Sequence, residues 1–264
     1  MPQETTSAMT TYEIIATVIA IIALLQPWLI ALYNRYFKKI KVTFTPSAKI
    51  KLYYNKSGAY IYLGGVIESQ NKAAIVKDIS VKLIRQNDRA ELNLDWSSFM
   101  LPIFQSVGGN PVVTNEIARP FKVDANSLYP VFVEFATVNM PEASKLSEIY
   151  ETIYAQARSL PIAAMLPEQA KQALAETECY KRCKDELLQN FYWKAADYII
   201  ELAISYNEKK ATRLRYAFSI DAEEAAKFKG NIEKSLLCVI DDYYRLPTNF
   251  FYPQKEFIPV DTLE

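Results

Sequence analysis

Twenty consecutive residues, Ile14 to Tyr33, carry no charge, and no lysine or arginine occurs before Arg35. Arg35, Lys38, Lys39 and Lys41 then arrive within seven positions. At about 1.5 Å per residue, a helix of that length is about 30 Å long, the thickness of a bilayer's hydrocarbon core. Lipid offers no partner to backbone N–H and C=O groups, so a segment crossing it must be helical. Tyr12 at one end and Tyr33, Tyr36 and Phe37 at the other fall where amphipathic rings settle at membrane interfaces. A cleaved secretion signal would carry cations ahead of a shorter apolar run, whereas the residues ahead of this run hold only Glu4 and Glu13. The expectation is a retained single-pass anchor in a cell membrane.

The cation asymmetry sets its direction. Positive charge stays on the cytoplasmic side, so residues 1–13 are expected as a short extracytoplasmic tail, 14–34 as the transmembrane helix and the remainder in the cytoplasm. Arg35, Lys38, Lys39 and Lys41 are placed to meet anionic lipid headgroups. Within the helix, Ala16, Ala20, Ala23, Pro27 and Ala31 recur at spacings that put them on one face. Small side chains let helix backbones approach closely. Gln26 beside the stripe favours a hydrogen-bonding partner over hydrocarbon. The expected partners are therefore membrane lipids and, through this stripe, a second copy or another membrane helix. Pro27 leaves the Ala23 carbonyl without its usual donor and is expected to kink the helix.

Composition removes several chemistries from the rest of the chain. Thirty basic residues balance thirty acidic ones, so no global field draws in nucleic acid. Histidine is absent, which excludes Ser-His-Asp and Cys-His catalysis and histidine-containing metal sites. Six glycines, with only Gly64-Gly65 and Gly108-Gly109 adjacent, make neither GxGxxG nor GxxxxGK[ST]. Cys179, Cys183 and Cys238 supply one thiolate fewer than a Cys₄ site needs and are expected as reduced thiols. Ser69-Gln70-Asn71-Lys72 matches SxxK but falls in an expected hairpin loop, and Asn55-Lys56-Ser57 reads as a turn. No cofactor is expected.

From Lys41 to about Thr137 the hydrophobic period is two. KVTFT, IKLYY, AYIYLGGVIES, IVKDISVKLIR, ELNLDW, IARPFKV and LYPVFVEFAT read as strands separated by turn residues at Asn55–Gly58, Asn71–Ala73, Asn87–Arg89, Gly108–Pro111 and Asp124–Ser127. Gly64-Gly65 inside a strand signals a bulge or a close backbone approach. From Pro141 the period becomes helical. Leu146, Ile149, Tyr150, Ile153 and Ala157 share one face. Leu188, Tyr192, Ala195, Ile199, Leu202 and Tyr206 extend a long helix from Glu168 to Lys209. Thr212–Ile220 alternates again, with Leu214, Tyr216 and Phe218 inward. Asp221 and Glu224 form a capping box for a helix whose face is Phe228, Ile232, Leu236, Val239 and Tyr243. Phe250, Phe251, Tyr252 and Phe257 give the tail too many aromatics for disorder.

The expected class is α+β: a transmembrane helix, then an antiparallel β-sandwich of immunoglobulin-like architecture with about eight strands. The sandwich spans 35–140, a helical insertion 141–209, a returning strand 210–220, a C-terminal helix 221–246, and an aromatic tail 247–264 docks on the body. The expected function is non-enzymatic: an anchored cytosolic module that binds a protein or small ligand. One alternative is a membrane effector whose cytosolic domain clusters the anchors and perturbs the bilayer. Another is an enzyme using carboxylates alone, from Glu148/Glu151, Asp185/Glu186 or Asp241/Asp242, although paired acids like these are usually solvated faces.

Overall fold

The computed structural model describes residues 10–107, 110–137, 140–208 and 210–260. The first element is helix α1 (Thr11–Tyr36), started by a capping box in which Thr10 accepts from the Glu13 amide and Glu13 accepts from the Thr10 amide at 2.7 Å. It runs through Pro27 without ending. Its apolar window is 0% buried against the rest of the protein, and among the described residues it is the one helix long and apolar enough to cross a membrane.

Strands β1 (Lys41–Asn55), β2 (Gly58–Gln70), β3 (Ala74–Arg85), β4 (Glu91–Val107), β5 (Asn110–Ile117), β6 (Phe121–Val123) and β7 (Ser127–Ala136) follow. Helices α2 (Met140–Ser159), α3 (Pro167–Glu176) and α4 (Glu178–Gln189) come next. The chain returns through β8 (Ala196–Tyr206) and β9 (Lys210–Ile220), helix α5 (Ala222–Tyr244) and the short tail strands β10 (Gln254–Glu256) and β11 (Ile258–Pro259).

All eleven strands join one antiparallel sheet in the order β10-β1-β2-β7-β4-β3-β8-β9-β11, with β5 on β4 and β6 on β3. The sheet curls until its two long edges meet. The Thr212 hydroxyl on β9 donates to the Val42 carbonyl on β1 at 2.9 Å. Consecutive tail residues pair with β1 on one side and β9 on the other, so the tail straps the seam. Phe44, Leu63, Ile79, Val133 and Leu202, from five strands, line one internal void.

The expected immunoglobulin-like sandwich is therefore corrected to a barrel-like single sheet, while the α+β class stands. Alternation reports only that one face of each strand is buried, and a barrel and a sandwich bury the same faces. The meeting of β1 with β9 decides between them, and that contact joins segments 170 residues apart.

The second correction concerns residues 190–209. The expected long helix ends at Gln189, and Ala196–Tyr206 is a central strand between β3 and β9. Tyr198, Ile200, Leu202, Ile204 and Tyr206 are all buried, a period of two. The helical spacing arose because Ile199 and Ile200 are both apolar, so either period can be drawn through the segment. Ala195, placed on the helix seam, is exposed. The helical insertion accordingly covers 140–189 rather than 141–209. A smaller correction falls on α5, where Tyr243 is 52% exposed and Tyr244 turns inward to donate to the Met165 carbonyl at 2.7 Å.

Other expectations match. Ile149, Tyr150, Ile153 and Ala157 of α2 are buried, β9 presents Tyr216 and Phe218 inward, and the Asp221/Glu224 capping box starts α5. The Asn71, Asn126 and Gly58 turns adopt left-handed φ of 71°, 55° and 86°. The tail docks through buried Phe257 against Tyr216. Gly108 and Gly109 lie outside the described residues.

The Gly64-Gly65 pair faces a register shift in β1 between Pro46 and Ile50. A Cβ on Gly65 would sit 2.4 Å from the Phe44 ring and 2.7 Å from the Thr45 carbonyl. Gly65→Ala should therefore destabilise by about 1–3 kcal/mol through overpacking. Gly230 is an exposed glycine within α5 with open space around it. Gly230→Ala should stabilise by about 0.5–1 kcal/mol. Urea unfolding of the two variants should shift the midpoint in opposite directions.

The two barrel ends differ. At one end lie the start of β1, just after α1, and the β2–β3, β6–β7 and β8–β9 turns. The opposite end carries the β1–β2 and β3–β4 turns. There β7 hands over to α2, α4 to β8 and β9 to α5, so the helices form a cap on that end.

Candidate functional site

Ala16, Ala20, Ala23, Gln26, Pro27 and Ala31 all lie in α1 and are exposed, with no other element among the described residues packed along them. Lys38 and Lys39 are exposed in the link to the barrel, and Lys41 opens β1. Arg35 lies in the last turn of α1, and its side chain falls outside the described residues. Sequence reasoning thus located the apolar helix and the cations, but it missed a concavity of the body.

That concavity is a cleft of about 660 Å³ between the barrel rim and the helical cap. Tyr54, Ala59, Leu92, Leu146, Ile149 and Leu187 supply apolar lining, while Lys56, Glu91, Lys145, Glu151 and Asn190 supply polar groups. Gly58 makes the β1–β2 turn possible in two ways. Its φ of 86° is left-handed, and a Cβ there would lie 3.2 Å from Leu146. On the helix side, Lys145 pairs with Glu186 at 2.8 Å. Lys56 sits 3.9 Å from Asp242, which also accepts from the Tyr154 hydroxyl at 3.2 Å. The volume lies in the range of ligand pockets. Burial pushes the Tyr54 phenol up to about 12 and raises Tyr150 and Tyr192 as well. These three hydroxyls stay neutral at physiological pH, and that of Tyr192 donates to the Ala90 carbonyl at 3.3 Å.

One wall of the cleft is fixed by the β3–β4 turn. Arg85 is buried, forms a two-pronged pair with Asp88 at 2.7 and 2.9 Å and donates to the Tyr192 carbonyl. Its guanidinium also lies 5.2 Å from the centroid of the Tyr192 ring. Hydrogen bonds from Arg85 hold the Asp88 carboxyl down to about 2. A depressed carboxyl stabilises the fold above its ordinary value of 3.8, and that stabilisation is lost as pH falls through about 2. Asp88→Asn should remove this component, so the variant's stability should change less than the wild type's between pH 4 and 2. Acid unfolding followed by tryptophan fluorescence checks it.

The acidic pairs are scattered rather than convergent. Glu148, Glu151 and Asp185 are exposed. Asp241 is buried, pairing with Lys171 at 2.8 Å and accepting from the Thr248 hydroxyl at 2.9 Å, which is a structural arrangement that ties α3 and the tail to α5. Burial raises the Cys183 and Cys238 thiols to about 11, which keeps them protonated. Among the described residues, no group of three Cys, Asp or Glu side chains is placed to hold a metal ion.

No family model and no curated protein matches the chain. Among solved structures, a family 123 glycoside hydrolase from Clostridium perfringens is similar at a TM-score of 0.31 and 7% identity, over 70% of this chain. The chain spans 28% of that enzyme's length. A likeness of this size carries no argument about function.

Proposed function

We propose that this chain is a single-pass membrane protein that holds a barrel in the cytosol and binds a small ligand or a peptide segment, without catalysis, in the cleft under the helical cap. The observation that carries the reading is the cleft's position. β1 leaves the anchor at Lys41 and reaches the cleft at Tyr54 and Lys56. At about 3.3 Å per residue this is roughly 45 Å of strand path. The cleft therefore faces solvent while the anchor confines it to the membrane, which raises its effective concentration for a membrane-bound source of ligand. The absence of histidine and the dispersal of the acids favour binding over chemistry. Helix pairing through Ala16, Ala20, Ala23 and Ala31 belongs to the same reading, because nothing among the described residues covers that face.

Ala143 is exposed at the cleft mouth, so Ala143→Trp should fill it without disturbing the core. Native mass spectrometry of full-length protein in detergent should show a bound species on the wild type. The variant should have lost it by tenfold or more at an unchanged melting temperature. Equal occupancy of both proteins would sink the cleft as the site. Fluorescent and phosphatase fusions at the C-terminus read the orientation, and the mass of the mature N-terminus tells a retained anchor from a cleaved signal.

A further inference from the structure

We propose that the barrel does not hang free on its tether but rests its anchor-side rim on the surface of an anionic bilayer, with Ile75 and Leu128 immersed among the headgroups. This rests on the membrane reading above.

The first argument is reach. Only residues 37–40 separate the last residue of α1 from the first of β1. Five Cα steps span at most about 18 Å. The polar layer of one leaflet is about 5–8 Å thick, so the rim cannot rise far beyond the headgroups. The link is also held to the rim, since the Asn71 side-chain amide in the β2–β3 turn donates to the Lys39 carbonyl at 3.0 Å.

Charge gives the second argument. The rim is built from segments 38–43, 68–78, 121–129, 205–208 and 210–213. They contain eight lysines and arginines against four acids, Glu68, Asp78, Asp124 and Glu208. The whole chain is neutral, so the excess is local to this end. Anionic headgroups attract such an array within a Debye length.

Exposed apolar groups give the third. Leu128 and Ile75, each one residue inside the start of its strand, are 70% and 50% exposed. Tyr129 beside Leu128 stacks on Phe121 at 4.7 Å and presents a further ring at the same rim. Apolar side chains ringed by lysines suit an interface. β4 also continues past its pairing of Phe99 with Val133 toward this end, and residues 100–107 and 110–113 of the β4–β5 hairpin include no charged residue.

The test uses full-length protein reconstituted into vesicles of phosphatidylcholine with and without phosphatidylglycerol. Nitroxide labels are placed singly by Leu128→Cys, Ile75→Cys, Ser57→Cys at the capped end and Ile22→Cys in α1, each with Cys179→Ser. Relaxation by oxygen and by a nickel chelate reports depth. The expected result is interfacial depth at residues 75 and 128, aqueous exposure at 57 and core depth at 22, with the rim labels moving outward when the anionic lipid is omitted. Rim labels as aqueous as residue 57 while residue 22 lies in the core would overturn the docking and leave the anchor standing. An aqueous label at residue 22 would overturn both. Rim depth indifferent to lipid charge would overturn the electrostatic part.

Discussion

Replacing Trp193 with alanine should lower the unfolding free energy by about 3–5 kcal/mol, the range for truncating a fully buried tryptophan. Trp193 is 0% exposed and sits where the helical cap meets the barrel mouth. Its ring stacks on Phe228 of α5 at 5.6 Å and lies 5.9 Å from Tyr198 of β8. The indole N–H donates to the Tyr53 carbonyl of β1 at 3.1 Å. One side chain therefore joins the cap, the strand that follows it and the first strand of the barrel. Trp193→Phe keeps most of the apolar volume and gives up the hydrogen bond, so it should cost less, about 1–2 kcal/mol. Guanidinium unfolding of both variants in detergent measures the difference. An alanine variant within 1 kcal/mol of wild type would mean that cap and barrel are held together elsewhere.

Deleting residues 247–264 should be at least as damaging. The tail buries Phe257 against Tyr216 and sets the Tyr252 ring at a tilt against Tyr53, with centroids 4.4 Å apart. It also satisfies the side chain of Asn231, which is fully buried in α5. That amide donates to the Phe251 carbonyl at 2.8 Å, and its oxygen accepts from the Phe251 N–H at 2.9 Å. Loss of Phe257 burial is worth about 2–3 kcal/mol, and leaving the Asn231 side-chain oxygen without its Phe251 donor, while its NH2 keeps the Tyr54 carbonyl, costs about 1–3 kcal/mol more. Lys255 loses Glu224, and β1 and β9 both lose a paired neighbour. Together these losses approach the 5–15 kcal/mol total stability of an ordinary domain. The truncated protein should elute as aggregate on size exclusion. A monodisperse, cooperatively melting product would show that the seam closes without its strap.

Much of this architecture is written locally. Strands β1, β2, β3 and β7 follow from period-two alternation, the Gly64-Gly65 approach from the glycine pair, and the start of α5 from Asp221 and Glu224. Features that join distant segments were not legible. Barrel closure rests on β1 with β9 and β10, pairings that no local pattern encodes. The β8 strand was misread because adjacent isoleucines satisfy two periods, and its partners β3 and β9 settle the matter by taking up its backbone hydrogen bonds. The cleft draws Tyr54, Glu91, Leu146 and Leu187 from four separated stretches, so only the turn at Gly58 hinted at it.

The strap has a consequence for the order of synthesis. β1 pairs with β10 through Lys49 and Glu256, so the first strand waits for one made much later. At 5–20 residues per second, a ribosome needs roughly 10–40 s to cover that distance. Throughout that interval the nascent sheet has two unclosed edges. Unpaired edges recruit other strands. Newly made copies close together are therefore at greatest risk of mispairing before the strap arrives, and a holdase that shields β1 would matter more for yield than one that acts after release.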